Sequence, residues 1–519
     1  MAKPLQHILL GAPGFYGLNT EASPVDIPPQ YATVANNAVI DKYGRLGSRK
    51  GFSVETTSAA ALGGEEVKRI FEWYSSGTSV LFAVGNNKIF RVDTTTTAND
   101  TLTEMTLPVG YSITADNWHF CDFNGEGFFF QEDHAPLLVN TTSNGTDDLE
   151  TLDSESAEAV PDAPEGNIVL AAYGRLWTAG VSTAPSTIYW SDTLIGDGWT
   201  EGASGSIDIS KFWPNGYDVV TGLAFHNGFL IIFGKNSIVL YSGADDPSNS
   251  LALSDTISGT GCIARDSIQH TGEDIIFLSS TGIRTLGRTL EQSSLPLGEV
   301  SANVRTQIIR DTTAELIAGG INSVFSPEEG FYLLILESNN YVYCVDMKGV
   351  LDGGVRRITS WPGTLFNCAC RTDAGVLQVG GVDGVGLYSG YADDDSSYTF
   401  QYSSPALVFE QPGILKILKK IRPVLIGATG RTATVSWGFG YTSSYETEAL
   451  TIHSGGDVSE YGEAEYGIGE YGPGFSVLED TINATGAGAE VTVGVNVSIL
   501  NTAFSLQQIG VYAILGRLI

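Results

Sequence analysis

Basic residues are scarce in this chain. There are 27 Lys and Arg against 59 Asp and Glu in 519 residues, a formal net charge of −32. That balance argues against a protein that grips nucleic acid, because such affinity comes from Lys and Arg displacing counterions from phosphates. The scarcity is also uneven. No Lys or Arg occurs from Val92 to Gly174, a span with 16 acidic residues, and none from Thr432 to Gly516, a span with ten. Two readings fit: solubility of an acidic surface, or a surface facing DNA that must let it slide without adhesion.

Cysteine is also sparse. Cys121, Cys262, Cys344, Cys368 and Cys370 are odd in number and scattered, so they set no disulfide framework. Cys368 and Cys370 sit two apart, on one face of a strand, but no second Cys or His pair at zinc spacing accompanies them, and small buried side chains are expected. No run approaches the roughly 18 apolar residues of a membrane helix. Met1-Ala2-Lys3-Pro4 does not open a secretory signal, so synthesis in a cytosol is expected.

Chemistry motifs are lacking too. Gly228 to Lys235 has the wrong spacing for a phosphate loop, and Asn236 stands where Ser or Thr would hold Mg²⁺. Gly467, Gly469 and Gly472 match a dinucleotide fingerprint as a string, but Pro473 follows where a helix must begin. His7, His119, His134, His226, His270 and His453 lie far apart. Asp393-Asp394-Asp395 lacks the Gly and Glu of a calcium loop and reads as a solvated turn. Lys416, Lys419, Lys420 and Arg422 alternate with Ile and Leu and read as charges that discourage edge-to-edge pairing of a strand. No cofactor, metal or catalytic residue is expected.

What the chain does contain is glycine, 62 residues of it, and short runs of Val, Ile, Thr, Tyr and Phe broken by turn pairs. An all-β fold is expected. Seven hairpins follow one another, turning at Asn86-Asn87, near Asp133-His134, in a longer loop holding Pro185, and at Lys235-Asn236, Thr281-Gly282, Asn339-Asn340 and Asp383-Gly384. Their spacing of about 44 to 58 residues is close to that of four-stranded propeller blades. The expectation is a β-propeller of about six to seven blades over 61–400; two meandering sandwich domains are the alternative. A second β platform domain is assigned to both termini, 1–60 and 401–519. Within the latter, Glu460-Tyr461-Gly462 recurs at Glu465 and Glu470. Tyr461, Tyr466 and Tyr471 are candidates for a subunit interface, since aromatic side chains are enriched there; a Gly-rich turn series within one domain is the other reading.

Several stretches resemble one known family, the tail nozzle or packaged-DNA stabilisation proteins of short-tailed bacteriophages (podoviruses). They are GLNTEASPVDIPP from Gly17, ANNAVID from Ala35, GRLGSRKGF from Gly44, FGKNSIVLYSG from Phe233, GCIA from Gly261, IFLSSTGIR from Ile276, the tyrosine repeat, and FSLQQIGVY from Phe504. The order is kept across nearly the whole chain, although the family often has Trp where Tyr461, Tyr466 and Tyr471 stand. The resemblance implies a non-enzymatic virion tail protein made in the host bacterial cytoplasm. It further implies a homohexameric ring below the portal and adaptor, with tail fibre or spike partners, that retains genomic DNA and then conducts it without sequence-specific contact. A tail-associated glycan hydrolase or depolymerase, and a monomeric carbohydrate-binding propeller, are the alternatives. A close Asp/Glu pair in a deep axial pocket would favour the hydrolase.

Overall fold

A computed structural model describes residues 4–518 apart from 57–58, 76, 94–100, 109, 140–149, 152–162, 201, 288–298, 319, 383, 441–444 and 453–476. The seven hairpins each form the adjacent strands of a small antiparallel sheet, and the sheets stand radially as the blades of a β-propeller. Among the described residues six blades have four strands: 69–104, 119–151, 168–208, 220–258, 321–362 and the last, 366–387 with one strand from elsewhere. Between the fourth and the 321–362 blade stands a three-stranded sheet, 269–285.

Turn chemistry sets these hairpins. Asn86 and Asn87 both adopt positive φ, 54° and 53°, the pair of left-handed residues that a two-residue turn needs to match strand twist. In the second hairpin Gln131 faces His134, so the turn residues are Glu132 and Asp133, one position earlier than expected; Asp133 takes the positive φ of 59°. The middle strands are buried along their length, as in Phe331–Leu336, because neighbouring blades cover both faces. That is why they read as continuous apolar runs instead of alternating ones.

The ring closes with a strand from the N-terminal segment. Ser53–Val54 pairs with Gly384–Leu387 as the outermost strand of the last blade, and Cys368 and Val385 of that blade share an apolar cluster with Ile70 and Phe90 of the first. Of the segment 1–60, assigned to the platform, Ser53–Val54 therefore belongs to the propeller instead. The joint depends on Gly386, where an added Cβ would sit 2.2 Å from the Ser53 carbonyl oxygen. Gly386→Val is therefore expected to expel Ser53–Val54, cost about 1–3 kcal/mol, and accelerate amide exchange at residues 53–56. Unchanged exchange there would mean that the ring is closed by other contacts.

The platform has two sheets. In one, Phe504–Leu518 and Ile414–Gly427 form a long antiparallel pair flanked by Leu5–Leu10, Ala38–Ile40 with Leu46–Ser48, Val477–Glu479 and Ala487–Gly488. In the other, Val34–Asn36, Tyr398–Ser403, Val491–Ile499, Thr432–Phe439 and Glu446–Thr451 run side by side. This second sheet is continuous with the 321–362 blade, because Val34–Asn36 lies parallel to Ile358–Pro362 with Asn36 opposite Ser360. No clean boundary exists at residue 400, and one apolar cluster spans both parts.

A 14-residue helix, Arg305–Ala318, precedes the 321–362 blade and has no counterpart in the sequence reading. Its buried positions Ile308, Thr312 and Glu315 have helical spacing but mixed polarity, so no apolar stripe announces it. Glu315 accepts hydrogen bonds from the Ser338 amide (2.6 Å) and Asn339 Nδ2 (2.9 Å), pinning the hairpin turn of that blade.

Candidate functional site

The propeller axis is where the inner strands of the blades converge. At the end where those strands begin, a chain of charges crosses the axis. Arg69, at the start of the first inner strand, donates to Glu337 and, at 3.0 Å, to Asp266. Asp266 in turn binds Arg265 through Nε (2.6 Å) and Nη2 (2.9 Å). Arg265 then reaches the carbonyls of Asn167 and, at 3.1 Å, Asn117. Five of the radial sheets are thereby tied together. Burial opposes the charge of Arg69, but Asp266 and Glu337 outweigh it and hold the guanidinium above its ordinary pKa. Burial likewise opposes ionisation of Asp266, yet Arg265 and Arg69 prevail and keep it a carboxylate well below the usual range.

Beside this lock lies a cavity of about 650 Å³. It extends past Phe71, His119 and Gln269 towards the ends of the inner strands at His270, Thr271, Pro327 and Arg371. Asp266 is the carboxylate among its lining residues; Glu337 does not reach it. His119 Nδ1 accepts the Val169 amide hydrogen at 2.9 Å, which makes the neutral ring an Nε2–H tautomer. Burial and the nearby Arg265 push its pKa down to about 3. Burial also pushes the Cys370 thiol on the cavity wall up to about 12, so neither cysteine of the 368/370 pair is a ready nucleophile.

A second buried charge cluster fixes the propeller to the platform. Arg49 is buried and pairs with both Asp393 oxygens, at 2.8 and 2.6 Å. It also donates to Asn37 Oδ1 (2.9 Å) and lies 4.2 Å from the centre of the Tyr398 ring. Burial disfavours its charge, but Asp393 more than compensates and raises its pKa. Asp393 is thus an anchor and no solvated turn residue, while Asp394 and Asp395 turn the chain at φ 46° and 62°.

The remaining candidates fall elsewhere. Tyr461, Tyr466 and Tyr471, and His453, lie outside the described residues. The basic residues 416–422 stand on a strand paired along one side with Phe504–Leu518 and flanked on the other by Ala487–Gly488, Ile482 and Val477–Glu479, so it is not the free edge of the sheet. Lys416 is buried with Nζ on the Gln411 carbonyl at 2.6 Å; Lys419 and Lys420 are exposed. Among the described residues no group of three or more His, Cys, Asp or Glu forms a metal site, and no helix is long and apolar enough to cross a membrane. Sequence reading missed the axial lock and the Arg49 anchor, since their partners are separated by 197, 268 and 344 residues.

No protein-family profile and no curated protein matches this chain. Among solved structures it is similar to the extracellular domain of BT4673 from B. thetaiotaomicron. One such structure has 9% identity and a TM-score of 0.41, with 79% of this chain and 56% of that one covered; in another, 43% of that chain's length is covered. It is also similar to the Neurospora crassa Pan2 WD40 domain, with 8% identity and a TM-score of 0.36 over 66% of this chain and 94% of that one. A third is Kluyveromyces lactis Hsv2, with 10% identity and a TM-score of 0.32 over 54% and 81%.

Proposed function

We propose that this chain is a structural wall protein, the tail nozzle of a short-tailed bacteriophage, that assembles as a ring around a channel for DNA. The observation that carries the reading is the closed axis. A lock of arginines and carboxylates joins five of the radial sheets, and among the described residues a single carboxylate, Asp266, lines the cavity. A glycan hydrolase cleft needs two carboxylates flanking the bond to be cut. A cross-braced propeller suits a part that bears load. The cavity is also far too small for a duplex, so in this reading DNA passes between copies of the chain.

The charge distribution supports the same reading. Exposed Glu446 and Glu448 lie on the strand Glu446–Thr451 within the second base-free span, and a ring multiplies each of them. Carboxylates facing the channel repel phosphate over about one Debye length, roughly 8 Å at physiological salt, so DNA meets little adhesion. Two measurements test this. Electron microscopy of the full chain is expected to show six-fold rings, and a chain that stays monomeric at every concentration and salt removes the proposal. In assembled tails, Thr101→Lys/Thr106→Lys or Glu446→Lys/Glu448→Lys is expected to slow DNA ejection severalfold at low salt, because each new Lys grips phosphate. Ejection unchanged in both would place these positions on the outer surface.

A further inference from the structure

The axial cavity offers hydrogen-bonding atoms that the protein itself does not use. His119 spends Nδ1 on the Val169 amide, which leaves Nε2–H without a partner among the described residues. Asn322 accepts the Ser323 amide hydrogen on Oδ1 (2.7 Å), leaving its NH₂ free. Gln269 gives Nε2 to the Ser323 carbonyl (3.1 Å) and hydroxyl (3.2 Å), leaving Oε1 as an acceptor. All three residues line the cavity, as do Phe71 and Phe120, whose rings stack with centroids 5.4 Å apart.

We infer that this cavity is a binding site for a neutral saccharide unit. The unused groups are uncharged donors and an acceptor, the complement of hydroxyls, which both donate and accept. The aromatic pair gives the C–H face of a sugar ring an apolar wall. A volume near 650 Å³ is within the range of small-molecule pockets, whose few placed polar groups set orientation. A charged ligand fits less well: Arg265 and Arg69 are neutralised by Asp266 and Glu337, and Arg371 by Glu328. With one carboxylate among its described lining residues, paired with two guanidiniums, the site binds and does not cleave. It stands independently of the nozzle reading, since one copy contains the whole cavity.

The test is saturation-transfer NMR and calorimetry on the full chain with glucose, galactose, mannose and N-acetylglucosamine, their methyl glycosides and their β-linked disaccharides, and with glucuronate as a charged control. Saturable binding of at least one neutral sugar is expected, with glucuronate at least tenfold weaker. Gln269→Leu and, separately, Asn322→Leu are expected to weaken it at least tenfold. Melting curves identify a variant that fails to fold, in which case the other decides. Disaccharides binding more tightly than methyl glycosides would point to a polysaccharide end, and the reverse to a free sugar. No saturable binding of any neutral sugar, or equal binding by well-folded variants, overturns the inference.

Discussion

Arg49→Met is expected to lower stability by about 3–5 kcal/mol, because it strands the Asp393 carboxylate in a buried site without its counter-charge. The loss should be local. Arg49 joins Asn37 of the N-terminal segment, Asp393 beyond the last blade, and Tyr398 of the platform sheet, so amide exchange should rise first around 34–54 and 393–403. Arg49→Met/Asp393→Leu should recover part of the loss, since removing both charges abolishes the unpaired one. It should not recover all of it, because Asn37 Oδ1 and the Lys50 carbonyl lose a donor as well. A single variant within 1 kcal/mol of the parent, on the scale of an exposed pair, would show that the joint rests on the apolar cluster alone.

The second large effect concerns pH. Unfolded, His119 takes up a proton below its ordinary value near 6.5; folded, burial and Arg265 delay that to about 3. Between those values the unfolded state binds more protons, so stability rises with pH across the window and is lost as the solution is acidified. At about 1.4 kcal/mol per pH unit, the loss between pH 7 and 5 comes to about 2 kcal/mol, reduced by water reaching the ring through the cavity. His119→Asn retains a carbonyl acceptor for the Val169 amide but cannot titrate. Its stability should be markedly flatter between pH 5 and 6.5, with a residual slope from His270, whose pKa burial and His226 also lower. Denaturation midpoints against pH read this directly, and an Asn variant as steep as the parent would assign the slope to other groups.

The sequence alone determined the blades. Each hairpin is local: its turn residues and its two apolar runs lie within about 20 residues, so Asn86-Asn87 announces a strand pair whatever surrounds it, and the turn expected at Thr281-Gly282 falls only one residue earlier, at Ser280-Thr281. The tertiary structure decided everything that links distant residues. Ser53–Val54 is too short for any periodicity to mark it as the strand that closes the ring. The helix Arg305–Ala318 hides because its inner face carries Thr312, whose hydroxyl bonds back to the Ile308 carbonyl within the helix, and Glu315, whose partners Ser338 and Asn339 lie outside it. Asp393 reads as one of three solvated aspartates until Arg49 is found against it, and Lys416 reads as an edge guard until strands flank it on both sides. The axial lock was illegible for the same reason: Arg69, Asp266 and Glu337 are ordinary surface residue types, and only ring closure brings them together where water is scarce and each charge needs a partner.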